Sequence, residues 1–203
     1  KFSFYSSDDL YKKLLNEDNK CIKLLEKKFD ENFFLNIKSL LKKEIFIARK
    51  SQIRDVLSLL RKTKIVKKNK DKNFIEKLFY SYYKYTFGFS YMFKDSFIGP
   101  HNDSPSKLMS LMLYFPSEKL ENLNIGTTFY DTKYKNFSNK QPNFFIKEQD
   151  SFFKENFVET FTLPFKKKNL YCFIKSDLSW HSVKKLEIPG NEIRRSININ
   201  LNI

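Results

Sequence analysis

From about residue 86 onward the chain falls into short β-type runs parted by turn residues, a texture that suggests a sandwich or a barrel. Runs near 87–93, 107–115, 125–130, 158–163, 169–175, 181–186 and 192–202 read as strands. The connections "FPSEKLENLNIG" and "EIPGNE" hold Pro116, Gly126, Pro189 and Gly190. The last strand is the most legible. In "IRRSININLNI", Arg194, Ser196, Asn198 and Asn200 share one face, and Ile193, Ile197, Ile199, Leu201 and Ile203 share the other. Such a strand has an apolar side for packing and a polar side for a site or solvent.

Residues 8–63 read as helical, with Leu, Ile and Phe at three- and four-residue spacings and lysines on the opposite faces. No glycine precedes Gly88, and Asp8 and Ser51 are candidate N-caps. "KIVKKNKDKN", residues 64–73, reads as a charged, solvated loop. The expectation is a single domain over 1–203, in which 1–85 is mainly helical support and 86–203 the β core. The helices would cover the outer face of one sheet. Residues 131–160 are long for a connection and carry six phenylalanines, either as a binding loop or as a short helix packed on the core.

No run approaches the roughly 18 apolar residues of a membrane span, and the opening "KFSFYSSDDLYKK" lacks the apolar core of a secretory signal. Cys21 and Cys172 are too few for a disulfide framework and have no metal-type spacing. A protein of a reducing, cytoplasmic compartment is expected. The net charge of +15 admits a polyanion partner. Only five of the 38 basic residues are arginines, however, and the scattered lysines stand among abundant Asn, Ile and Phe, as AT-rich coding alone would produce.

The chain has two histidines, His101 and His181. In an extended segment His101 and Asp103 project from one face, so imidazole and carboxylate can converge on one ion. His181, opening a strand after the turn in "FIKSDLSWHSV", can complete two histidines and a carboxylate, the set that marks non-heme Fe(II) oxygenases. Arg194 on the polar face of the last strand can hold a carboxylate in a bidentate fork, backed by the Ser196 hydroxyl. Arg195 points the other way.

On H101-x-D103, His181 and R194-x-S196, in that order, residues 88–203 resemble the 2-oxoglutarate/Fe(II)-dependent oxygenases, most closely their prolyl-hydroxylase-like branch. Tyr91, Tyr114 and "GTTFY" at 126–130 fall where that branch carries related features. The resemblance implies an α+β protein with a double-stranded β-helix (jelly-roll) core and an N-terminal helical layer. It implies Fe(II) on His101, Asp103 and His181, and 2-oxoglutarate held by Arg194, Ser196, Tyr114 and Tyr91. It further implies O2 as oxidant, admits ascorbate, and predicts hydroxylation with release of succinate and CO2. Asp103 favours hydroxylation, since related halogenases replace this carboxylate with a small residue.

The branch acts on peptidyl proline, amino acids and other small metabolites, so a small-molecule or peptide-like substrate is expected and no specific nucleic acid. The nucleic-acid demethylases of the superfamily carry a second arginine where this chain has Asn200. "SPSK" after Asp103 and the 131–160 segment are the places to look for substrate selection, with Lys107 either meeting an anionic substrate or, as the simpler reading, solvated. The competing readings are a jelly-roll binding module, a nucleic-acid-directed oxygenase using the basic surface, and a cupin-like metal protein. The substrate-binding residues and oligomeric state are not specified by the sequence.

Overall fold

The last strand organises the larger of two sheets. In the computed structural model, which describes residues 2–5, 9–16, 19–50, 61–66, 74–132 and 151–203, ten strands are assigned. β1 is Phe2–Tyr5, β2 Lys62–Val66, β3 Tyr80–Met92, β4 Ile98–His101 and β5 Lys107–Tyr114. β6 is Thr128–Thr132, β7 Phe157–Thr162, β8 Leu170–Ile174, β9 His181–Val183 and β10 Arg194–Asn202. The larger sheet runs β1-β3-β10-β5-β8, with β2 also on β3; the smaller runs β4-β9-β6-β7. The architecture is mixed α+β and mostly β.

Alternation gives the larger sheet two chemically distinct faces. Tyr83, Tyr85, Phe87 and Phe89 of β3, Leu111 of β5 and Ile197, Ile199 and Leu201 of β10 form one buried cluster with Ile22, Phe34 and Ile45 of the helices. The helical layer therefore covers this face. Those helices are α2 (Lys20–Lys28), α3 (Glu31–Leu40) and α4 (Lys42–Arg49), while α1 (Asp9–Asn16) lies against α2 and β1. A run that reads as one long amphipathic stretch breaks after Lys28 because the Asp30 carboxylate accepts from Phe33 N at 2.8 Å and starts α3 afresh. Asn19 caps α2 in the same way. Phe34, fully buried and stacked on Tyr85 at 4.6 Å, anchors the layer; Phe34→Ala would cost about 3–5 kcal/mol. The other face carries Ser90, Ser110, Ser196, Asn198 and Asn200, which line a cavity shared with the smaller sheet.

Four strands depart from the expected positions, the first being β1, which pairs with β3 where no strand is expected so early in the chain. β3 begins at Tyr80, seven residues before the run read near 87–93, because the alternation of "YSYYKYT" already pairs with β10 and β2. Lys64, Ile65 and Val66, expected in a charged loop, belong to β2 in parallel register with β3, where Lys64 Nζ sits 4.0 Å over the Tyr80 ring; residues 67–73 lie outside the described ones. β4 was not foreseen. Asp8, Ser51 and residues 133–150 also lie outside the described residues. α5 (Phe74–Phe79) leads directly into β3, and near the end of the 131–160 stretch lies α6 (Ser151–Asn156), whose Phe153 packs with Phe157, Tyr130 and Trp180. No helix among the described residues is long and apolar enough to cross a membrane.

Candidate metal centre

Two short strands of the smaller sheet bring the histidines together. His101 ends β4 and His181 opens β9, and the two are direct antiparallel partners. Their ring centroids lie 4.3 Å apart. Asp103 follows at the start of a loop, with Oδ1 at 3.9 Å from His101 Nε2 and Oδ2 at 3.7 Å from His181 Nε2. The ligand atoms of all three residues fall within 4.8 Å of one another. Asn102, buried between the two ligands, ties the loops: its Nδ2 donates to Asp177 O at 2.7 Å and its Oδ1 accepts from Ser179 Oγ at 3.2 Å. The turn before His181 is thereby fastened to the loop after His101.

Each imidazole is oriented by the main chain. Nδ1 of His101 lies 2.9 Å from Gly99 O, and Nδ1 of His181 lies 2.9 Å from Ser179 O. A carbonyl can only accept, so Nδ1 carries a proton and Nε2 is the nitrogen turned toward Asp103, free to offer a lone pair when the ring is neutral. Burial, reinforced by the nearby His101, pushes His181 down to about 4, which keeps it neutral at physiological pH. Burial opposes ionisation of Asp103, but His181, Lys107 and His101 outweigh it and hold the carboxyl below its ordinary value. Oδ1 of Asp103 accepts from Lys107 Nζ at 2.8 Å. Oδ2 is buried and has no hydrogen-bond partner among the described residues. An ionised oxygen left bare beside two imidazole lone pairs is costly unless a cation completes it. The donor set fits a divalent transition metal such as Fe(II).

These residues line one part of a cavity of about 400 Å³ between the sheets. Arg194 lines it too, buried at 2% exposure. Its Nε donates to Ile125 O at 2.7 Å and its Nη1 to Ser196 Oγ at 3.4 Å, and none of its partners among the described residues is a carboxylate. Burial lowers its pKa, partly countered by Tyr114, yet a guanidinium remains charged. Ser90 Oγ, directly across from Ser196 in register, is buried in the same cavity wall with no hydrogen-bond partner among the described residues.

Of the candidate cosubstrate residues, Arg194 and Ser196 line the cavity and two others do not. Tyr114 is buried beneath the guanidinium, with Arg194 Cζ 5.2 Å from its ring, and its hydroxyl donates to Thr127 Oγ1 at 2.9 Å. Thr127 rather than Tyr114 lines the cavity. Tyr91 is a correction. It pairs with Arg195 and packs against the helix-side cluster, on the face of β3 turned away from the cavity. The residue that faces inward is its neighbour Ser90. A small polar residue inside the aromatic run "FGFSYMF" was the available signal. Lys107 also departs from the solvated reading, since it is held on Asp103.

No family model matches the chain, and no curated protein is detectably similar to it. Among solved structures, the chain is similar to the iron-bound crystal structure of HygX from Streptomyces hygroscopicus. That likeness covers 59% of this chain and 58% of the other, less than two thirds of its length, at 11% identity and a TM-score of 0.31. At this level the centre is defined by its own residues.

Proposed function

We propose that the chain is a non-heme Fe(II)- and 2-oxoglutarate-dependent dioxygenase, a single domain on a jelly-roll core. Its activity would be hydroxylation of a C–H bond in a small-molecule or peptide-like substrate. The observation that carries this reading is one cavity containing, among the described residues, both an unpartnered Asp103 oxygen beside two inward-turned imidazoles and a buried arginine with no carboxylate partner. The first group calls for a metal and the second for an acid. A 2-oxo diacid satisfies both.

The jelly roll is supported by strand order. β3 pairs with β10, β4 with β9, β5 with β8 and β6 with β7, as in a hairpin of eight strands wound into two sheets. Free thiols at Cys21 and Cys172 are in keeping with a cytoplasmic setting.

In this reading His101, Asp103 and His181 hold Fe(II). Bound iron, with 2-oxoglutarate and O2, would supply oxidative decarboxylation to succinate and CO2 coupled to C–H oxidation. The protein binds, orients and excludes water. Arg194 holds the far carboxylate of the cosubstrate, with hydroxyls of Ser90, Ser196 and Thr127 as further donors. Ile125 O and the Tyr114 ring fix the guanidinium in place. Ile98, Met112, Phe173 and Val183 give the cavity its apolar wall.

The test is succinate release by the Fe(II)-loaded protein, supplied with 2-oxoglutarate and O2, in the presence of amino acids, short peptides or methylated oligonucleotides. Iron-dependent release stimulated by an amino acid or peptide, and lost in His101→Ala, is expected. Release coupled to oligonucleotides alone would overturn the substrate reading. Undiminished release by His101→Ala would overturn the ligand assignment.

A further inference from the structure

Lys107 reaches back from a tight turn onto Asp103. The turn over residues 104–107 is closed by Lys107 N donating to Ser104 O at 2.9 Å. Ser104 Oγ and Ser106 Oγ are hydrogen-bonded across it at 2.9 Å, and Ile203 N donates to Ser106 O at 2.8 Å. The helical half grips the same turn. Arg49, the last residue of α4 and 1% exposed, donates through Nη1 to Lys107 O at 2.9 Å and through Nη2 to Pro105 O at 2.8 Å. A buried guanidinium spanning two main-chain carbonyls is an expensive clamp, and here it fixes the backbone from which the Lys107 side chain springs.

The clamp has a chemical consequence at Asp103. Its two oxygens are not equivalent: Oδ1 is taken by the Lys107 ammonium at 2.8 Å, while Oδ2 is left bare. A carboxylate free to rotate can chelate a metal through both oxygens, which closes a coordination position. One whose second oxygen is bound to an ammonium lends a single oxygen.

We propose that Lys107, fixed by the Arg49 clamp, is a positioning residue that keeps Asp103 a one-oxygen ligand, so that a chelating cosubstrate finds its position open. The inference rests on the metal-centre reading and assigns the N-terminal helices a part in the site. An ammonium beside a cation disfavours that cation, so Lys107 works against metal affinity while it preserves room at the metal. Removing it separates the two effects.

The experiment uses the full chain with Co(II) as a spectroscopic probe, titrated anaerobically and then with 2-oxoglutarate. In Lys107→Met, Co(II) binding is held or tightened, the visible ligand-field spectrum changes, and 2-oxoglutarate affinity falls about tenfold, in the range typical of lost outer-shell partners. Lys107→Arg, which restores an N–H donor to Oδ1, recovers the wild-type spectrum and affinity. A Lys107→Met protein with wild-type spectrum and 2-oxoglutarate affinity would overturn the proposal. So would equal weakening of Co(II) in both variants with lowered melting temperatures, which is the mark of a merely structural lysine. Failure of the wild-type protein to bind Co(II) more tightly than His101→Ala would instead overturn the metal centre itself.

Discussion

His101 stands directly across the β4–β9 pair from His181, with ring centroids 4.3 Å apart, and this register makes a donor pair of two residues distant in the chain. A one-residue slip would turn one imidazole to the opposite face. The pairing, with the Asn102 tie beside it, is therefore as much a part of the centre as the ligands.

Removal of metal should expose a pH dependence set by His181. Its folded value of about 4 lies below the ordinary 6.5, so between those values the unfolded chain binds the extra proton. Stability of the chelator-treated protein should be flat above pH 6.5 and fall as pH drops toward 4, by on the order of 3 kcal/mol. Asp103, also held low, extends the loss to more acid pH. Denaturant unfolding at stepped pH checks this, and His181→Gln should flatten the 6.5-to-4 window.

Gly126 is needed for closeness rather than for an unusual backbone angle. A Cβ there would lie 1.9 Å from Leu163 O. Its neighbours are Ile125, whose carbonyl holds Arg194, and Thr127, which binds the Tyr114 hydroxyl. Gly126→Ala should cost on the order of 1–3 kcal/mol and weaken 2-oxoglutarate binding as well. An unchanged unfolding midpoint would show that the segment yields without cost.

The two adjacent arginines should separate cleanly. Arg194 is buried on the cavity face and Arg195 is exposed on the other. Arg194→Ala should weaken 2-oxoglutarate binding by an amount corresponding to about 2–5 kcal/mol, with little change in Co(II) affinity. Arg195→Ala should bind both as wild type does. Calorimetric titration distinguishes them, and severe loss with Arg195→Ala alone would reverse the face assignment.

Arg49→Met leaves the carbonyls of Pro105 and Lys107 without their buried donor. At about 1–3 kcal/mol for each of the two lost partners, stability should fall by about 2–6 kcal/mol. Hydrogen exchange should quicken in residues 104–107. Loss of stability with no change in that turn would place the role of Arg49 elsewhere.

Much of the site could be read from residues alone, because alternation is strict where it matters. "IRRSININLNI" assigned both faces of β10, and the structure puts Arg194, Ser196, Asn198 and Asn200 along the cavity. H101-x-D103 and His181 converge as their spacing suggested. The resemblance, which counts residues back from His101, does not fix the face at β3. Tyr91 and Ser90 differ by one residue, and only the Ser90–Ser196 register decides which faces inward. β4 was illegible because "IGPH" is four residues long and holds a glycine and a proline, with no periodicity to detect. Lys107 was misread because a lysine four residues after an aspartate resembles a solvated pair; burial by the Arg49-held turn is a long-range fact. Within the described part of the 131–160 stretch, Phe153 of the short helix and Phe157 at the start of β7 pack in one cluster with Trp180.

The central claim, that one cavity holds Fe(II) and a 2-oxo diacid together, is tested most directly by anaerobic addition of Fe(II) and then 2-oxoglutarate while recording the visible spectrum. A metal-to-ligand charge-transfer band is predicted in the wild-type protein, absent from His181→Ala and requiring far more 2-oxoglutarate in Arg194→Ala. A wild-type protein that binds Fe(II) and shows no such band at saturating 2-oxoglutarate would contradict the account.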